Sequence, residues 1–556
     1  MDRPLASHPA LRRRQWAGAA CATPHGAARA TPHDAGASAA PRRGAPISTW
    51  TAPVLLWLCV VLSGVLSPAA RFLRSAAAAT LHAVAAIPRT MPYPPRFPVV
   101  GVVSIDQGAG GTDVAPDEIG VDARAGRVLF IGRFMSNQTT NPTERTSLYA
   151  ADARDGHIVR TIRLSDLSAL VAFDPAAGRT VVVTGQSPSP AVATLYDDGA
   201  LTPVGTAPVS DLPAAVRVDE ARGRTFVVNT LPQNAPTDPN LTNSVSMIDI
   251  RSGCLTRVLH PVGLYTGQGG DTVLSAEVDT ATGNLVVAAV GDSLPDDAIL
   301  LVDPTSGAVL HRIPVPGPPR APGDHSFVAA HVYAQLRRIF VVSRDGLTLV
   351  VIDADSGRVV RTLTLRHPLL SLVADERAGR VFAFAPASTN GVGEPPRRVD
   401  VFDGHSGDLL SSTVLGEDVA TVGSPHRSGR SPIAGVLDAR TGRLFVPTIN
   451  GSSMSGHVDV FDTHSGALVA SRAMPATSIL IPSASGQRVL ALETRLYPDF
   501  GAVAVLDGRT GATVTTYPRV LSTTLDSADA VAVDAGLRRA FVFGADGELL
   551  TLNTGL

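Results

Sequence analysis

The sequence predicts an all-β protein in which residues 97–556 form a closed β-propeller of four-stranded antiparallel blades, nine by repeat count with eight as the alternative. Three observations lead there. A turn unit of the form apolar-Asp-x-x-x-Gly-Arg recurs along the chain, a second turn unit of the form Asp-x-x-Ser/Thr-Gly alternates with it, and the last repeat is one strand short while a spare valine strand precedes the first.

The first unit occurs at Asp122, Asp174, Asp219, Asp279, Asp375 and Asp438, with degenerate copies at Tyr333, Ser483 and Asp534. Successive copies are 42 to 63 residues apart, the length of one propeller blade. The second unit occurs at Asp249, Asp303, Asp353, Asp403, Asp462 and Asp507, with looser versions at Asp152 and Asp197. In each, the Asp carboxylate is placed to accept backbone N–H groups of a tight turn while Gly takes a left-handed conformation, and β-branched runs on both sides make the strands of a hairpin. These six Asp residues are therefore read as structural turn caps. They lack the ligand series of a calcium loop.

Two hairpins per repeat make four strands, and a lone four-stranded sheet cannot bury both faces, so the repeats stack radially and close. The last repeat supplies Val531–Val533, Phe541–Phe543 and Leu549–Leu552 and stops. Val99–Val103 is the missing outer strand, and pairing it with the last blade closes the ring.

The chain before the ring reads differently. Residues 1–49 are rich in Ala, Arg, Pro and Gly without apolar periodicity, the composition of a disordered tail. Residues 50–70 are apolar and uncharged over a length that spans one bilayer. They are read as an uncleaved transmembrane anchor with an extracytoplasmic ring beyond it, or as a signal segment cleaved near Ser67–Ala69 to release a secreted ring. Residues 71–96 are a linker.

Net charge is −2 and aromatics are 5% of the chain, with no basic stripe carrying interleaved aromatics, so no nucleic-acid partner is expected. The 47 basic residues are all arginine, which together with abundant Ala, Gly and Pro suggests a GC-rich bacterial coding sequence. Of Cys21, Cys59 and Cys254 only the last lies in the ring, so no disulfide within the ring is expected.

The run Thr225-Phe226-Val227-Val228-Asn229-Thr230 after Val218-Asp219, followed by Val245-Ser246-Met247-Ile248-Asp249 and Ser252-Gly253, resembles the YVTN repeat of YncE-like, WD40-superfamily-like bacterial β-propellers. The resemblance covers about 450 residues. Other repeats depart from it, with Gly132, Thr184, Ser343 or Thr448 where the third has Asn, and the Gly-His and Trp-Asp dipeptides of conventional WD40 repeats are missing. The resemblance implies an exported or surface protein.

Function is expected on the face that gathers the long loops, those joining second to third strands and those joining one blade to the next. The second-to-third loops are placed at Met135–Arg145, Leu231–Asn243, Gly291–Asp297, Pro386–Arg398 and Asn450–His457. The inter-blade loops hold Asp113, Asp117, Asp211 and Asp271, then Asp324 and His325, then Asp526 and Asp529, an acidic mouth suited to cations or basic ligands. His325 and His331 lack a third ligand, so no metal is expected, and no cofactor motif or catalytic nucleophile stands out. The expected function is a noncatalytic binding scaffold for a protein, cell-wall or small-molecule ligand, with membrane contact through residues 50–70 if these stay uncleaved. The alternatives are a channel-mouth enzyme of lactonase-like or quinoprotein-dehydrogenase-like type and a surface-layer or adhesion module.

Overall fold

The computed structural model describes residues 99–555 outside segments 105–110, 113–118, 137–143, 165–168, 186–190, 210–212, 230–243, 261–271, 291–296, 317–328, 386–397, 420–434, 451–454, 494–500, 522–527 and 545–547 and a few single positions. The described residues form nine antiparallel sheets and no helix. Each sheet is one blade, whose strands run in chain order from the innermost to the outermost in all but the last, where the outermost strand comes from the start of the ring.

Blade 3 illustrates why the sequence folds this way. Its strands are Pro213–Asp219, Arg224–Asn229, Ser244–Asp249 and Leu255–Leu259. The second strand, Arg-Thr-Phe-Val-Val-Asn, is buried on both faces, so it carries no polar alternation. The outer strand exposes Thr256, Arg257 and Val258 to solvent. The same gradient, apolar inside and mixed outside, runs through blade 5 from Arg338–Val342 to Val359–Thr364.

The core lies between blades. Nine apolar clusters correspond to the nine interfaces, each drawing residues from two adjoining sheets, as where Val286, Ala288 and Ile299 of blade 4 meet Ile339, Val341 and Val350 of blade 5. The cluster of Val128, Phe130 and Ala151 with Phe541 and Leu549 joins the first blade to the last. The ring is closed, with nine blades rather than eight.

Closure takes place in the last blade. Val99–Ser104 pairs antiparallel with Glu548–Asn553, Val102 opposite Leu550 and Val103 opposite Leu549, so the chain's first described strand is the outer strand of its final sheet. Cys254, in the turn after Ser244–Asp249, is the sole cysteine of the ring.

Two expected loops are shorter than the sequence suggests. Arg127–Ser136 and Glu144–Asp152 pair up to Met135 opposite Glu144, and Arg443–Asn450 and Ser455–Asp462 pair up to Asn450 opposite Ser455. Much of Met135–Arg145 and Asn450–His457 is thus strand. Backbone pairing carries these hairpins past the end of their apolar runs, and short strands, Gly111–Thr112 and Asp418–Val419, hydrogen-bond to the extensions.

Candidate functional site

Both turn units lie on one face of the ring. The innermost strand of each blade runs down to the first unit, the second returns, and the third descends to the second unit, so the connections between second and third strands and those between blades all lie on the opposite face.

On the turn face the second-unit Asp uses both carboxylate oxygens. In blade 5, Asp353 Oδ1 accepts from the Ser356 amide at 2.9 Å and its hydroxyl at 2.7 Å, while Oδ2 accepts from Arg338 Nη1 at 2.7 Å. Arg338 is the arginine that ends the first unit, and it stands directly opposite Asp353 in the strand register. The pairing recurs as Arg127–Asp152 at 3.3 Å, Arg179–Asp197 at 2.5 Å, Arg380–Asp403 at 3.2 Å, Arg488–Asp507 at 3.0 Å and Arg443–Asp462. In blade 3 the arginine turns inward, and Arg224 Nε donates to Asp219 at 2.9 Å. The two repeat units are one device: cap and cation meet across a strand pair.

The carboxyls of Asp249, Asp303, Asp353, Asp403, Asp462 and Asp507 are all held below the ordinary carboxylate range. The largest influence is the turn hydroxyl bond in Asp303 and Asp353 and the Ser465 amide in Asp462. In Asp249, Asp403 and Asp507 the largest is desolvation, which acts upward and is outweighed by the combined turn bonds.

The inner wall carries a second pattern, set by the residue two before the first-unit Asp position of each blade. That side chain faces the next blade, as Gly120 shows: a Cβ there would run into the ring of Phe173 in blade 2. Around the ring the position holds Gly120, Ala172, Arg217, Glu277, His331, Val373, Val436, Ile481 and Ala532. Its polar members are consecutive and fall in blades 3, 4 and 5.

Each has a definite geometry. Arg217 is buried, with Nε donating to the Ala276 carbonyl of blade 4 at 2.6 Å. Glu277 accepts from the Val332 amide of blade 5 at 2.9 Å. Glu376, in the turn of blade 6, accepts from the Gln335 amide of blade 5 at 2.6 Å. Side chains from one blade thus satisfy unpaired backbone groups in the innermost strand or turn of a neighbouring blade.

His331 and Tyr333 complete the cluster. Their rings stack at 6.2 Å between centroids and 9° between planes, and Tyr333 meets Phe340 edge-on at 5.7 Å. His331 Nε2 and the Tyr333 hydroxyl are sealed from solvent, with no hydrogen-bond partner among the described residues. Burial pushes the imidazole pKa down against the pull of Glu277, so at neutral pH the ring is uncharged. Burial also pushes the Tyr333 hydroxyl well up, with Glu277 and Glu376 adding to it. The result is a neutral aromatic pair between two carboxylates that are engaged with backbone amides.

Of the acidic mouth expected on the long-loop face, Asp113, Asp117, Asp211, Asp271, Asp324, His325 and Asp526 lie outside the described residues. Asp529 lies near the start of the innermost strand Ala528–Asp534. Among the described residues no group of three His, Cys, Asp or Glu side chains converges to hold a metal ion. Asn229 is buried, and its Nδ2 donates to the hydroxyls of Ser244 and Ser246, both at 3.3 Å. The inner-wall sequence Arg217, Glu277, His331 could have been found by aligning the repeats on their turn Asp and asking which columns turn polar.

No protein-family profile matches the chain, and no curated protein matches it. Solved structures do resemble it. The chain is similar to dihydro-heme d1 dehydrogenase NirN in complex with DHE at 16% identity and TM-score 0.44, over 77% of this chain and 81% of that one. It is similar to a eukaryotic initiation factor at 10% identity and TM-score 0.48, covering 73% and 88%. It is also similar to the C-terminal WD40 domain of Sif2 at 10% identity and TM-score 0.42, covering 82% and 99%. At these identities and TM-scores the likenesses carry no conclusion about what the chain does.

Proposed function

We propose that the ring is a noncatalytic binding scaffold that takes a protein partner on its long-loop face, and that residues 50–70 hold it on the outer side of a membrane. The observation that carries this reading is the division of labour between faces. Turns on one face are short, repeated and committed to capping and ion pairing, while the connections on the other range from the tight Ser343–Thr348 turn, closed by the Ser343 and Asp345 side chains, to the segment 230–243. Length variation confined to one face is what a rigid scaffold presenting a recognition surface requires. The charged side chains described on the inner wall are already engaged with backbone groups, which favours support over chemistry.

The test is a variant in which 231–242 is replaced by a short Gly-Ser connection. It is expected to melt with the parent, because Arg224–Asn229 and Ser244–Asp249 on either side of the replaced segment pair along their whole length, and to lose a partner that the parent retains in cross-linking. Turnover by the parent on lactones, or stoichiometric retention of a redox cofactor, would overturn the scaffold reading. Mass measurement of the membrane-extracted protein tests the anchor: residues 50–70 should be retained.

A further inference from the structure

We propose that the seam between blades 5 and 6 is an acid-sensitive joint, built on His331 at its inner end and His367 at its outer end, that loosens below about pH 6 while the other seams stay shut.

The first support is place. Among the described histidines, His331 and His367 are the two with a ring nitrogen sealed from solvent and without a hydrogen-bond partner, Nε2 in one and Nδ1 in the other. Both stand in one seam. His331 stacks on Tyr333, and Tyr333 packs into the apolar cluster that joins Phe340 and Val351 of blade 5 to Leu372 and Val381 of blade 6. His367 lies on the connection from Val359–Thr364, the outer strand of blade 5, to Ser371–Asp375, the innermost strand of blade 6. Leu365 and Leu369, two residues to either side of it, belong to the same apolar cluster.

The second support is the chemistry of the ring. Neutral imidazole has one donor and one acceptor nitrogen, whereas imidazolium has two donors and a charge. Protonation therefore puts a charge, and an N–H with no acceptor, inside the seam at both ends. The charged and titratable groups around the rings are Glu277, Tyr333 and Glu376 at the inner end and Arg366, Arg398 and Asp400 at the outer end. Glu277 favours a charged His331, but it already accepts from the Val332 amide, and burial outweighs its pull. At His367 burial acts first and the two arginines add to it, against Asp400, which accepts from the Ser412 hydroxyl. Both rings are held below the ordinary histidine range. A base lowered in the folded state contributes stability that is complete above its unfolded pKa and is lost as pH falls from there toward the folded value.

The third support is the cap that crosses this seam. In blade 6 the Asp that ends the innermost strand caps its own turn, Asp375 accepting from the Arg377 amide at 3.1 Å. Blade 5 has Tyr333 in that position, and the corresponding amide, Gln335, is capped from across the seam by Glu376. Parting the blades thus uncaps a turn as well. Six of the other blades have Gly120, Ala172, Val373, Val436, Ile481 and Ala532 in the column of His331, none of which titrates.

The experiment follows hydrogen–deuterium exchange of the full chain by mass spectrometry at about pH 7.5 and about pH 5.5, on either side of the histidine range and above that of the carboxylates. Rates are corrected for the intrinsic pH dependence of exchange. Peptides covering 329–336 and 365–375 should open about tenfold more readily at the lower pH, while those covering Pro213–Asp219 and Thr272–Val278, at the seam of blades 3 and 4, should not change. The variant H331F/H367Q, which keeps a ring against Tyr333, should lose the acid response and keep the protection seen at the higher pH. Equal protection at both pH values, loosening of all seams alike, or a response that persists in the variant overturns the proposal. Should the variant fail to fold, imidazole C2–H exchange in the parent decides, since it reads each histidine by itself: both must titrate below about 6.5, and an ordinary value at either overturns the joint.

Discussion

At the scale of single residues the degenerate repeats are the most informative. Arg538 holds φ at +55° in the position where the regular first unit has glycine, and the turn it occupies is otherwise intact, its carbonyl accepting from the Thr554 amide at 2.8 Å. A side chain in the left-handed region costs of the order of 1 kcal/mol, so Arg538→Gly is expected to stabilise by about 0.5 kcal/mol after the added freedom of the unfolded chain. Chemical denaturation measures it, and a loss of stability would mean that the exposed arginine is held by contacts beyond its turn. Asp198 has the opposite character. It is fully buried beside Thr180, which donates to it at 2.6 Å, and desolvation first, then the nearby Asp122 and Asp197, push its pKa up to about 7. A carboxyl raised in the folded state contributes stability that is complete below its unfolded pKa and is lost as pH rises through 7. Asp198→Asn should therefore be more stable than the parent at pH 8 by roughly 1–3 kcal/mol and gain little at pH 4, as compared by urea midpoints. An unchanged gap between the two pH values would mean the parent carboxyl is ionised throughout. Tyr333→Phe removes a hydroxyl that is buried without a partner, and it should leave the melting temperature unchanged or raise it.

At the scale of elements, the hairpin is the stabilised unit. Removing the Asp353 carboxylate takes away the turn cap and the partner of Arg338 together, so Asp353→Ala should cost about 1–2 kcal/mol, whereas Arg338→Gln, which leaves the cap, should cost less. Similar losses for both would mean the ion pair and not the cap matters. The hairpins were legible because their chemistry is local: Asp, Gly and flanking β-branched residues are adjacent in the sequence. The cross-strand Arg–Asp pair was less so, since it joins the end of one unit to the start of another at separations from 15 to 25 residues. The extended hairpins at Ser136 and Asn450 were not legible, because Arg-Phe-Met-Ser and Thr-Ile-Asn continue as strand through backbone pairing alone. The inner-wall cluster was not legible as a unit, because Arg217, Glu277 and His331 sit in the same column of three repeats, each flanked by Ala or Val.

At the scale of the whole molecule, stability has an acid limb. The six second-unit carboxyls are depressed, so the stability they contribute is present above the ordinary carboxylate pKa and is lost as pH falls through their folded values. Melting temperature should fall steeply below about pH 4, and a flat profile down to pH 3 would show that the caps contribute nothing net. Deleting residues 97–105 leaves the last sheet with three strands and should lower the melting temperature by several degrees, with a two-step transition where the seam parts first. Blade number was legible in the repeat count, and closure in the missing last strand.

The seam also sets a clock. Val99–Ser104 is among the first strands of the ring to leave the ribosome, and its partner Glu548–Asn553 is the last. At synthesis rates of about 5–20 residues per second the first strand waits on the order of half a minute to a minute and a half with no partner. During that interval it is a bare valine-rich edge, open to pairing with neighbouring chains on the same messenger. A chaperone that recognises short extended apolar segments therefore has an address on the nascent protein that persists until Glu548–Asn553 emerges, and the completed ring erases it.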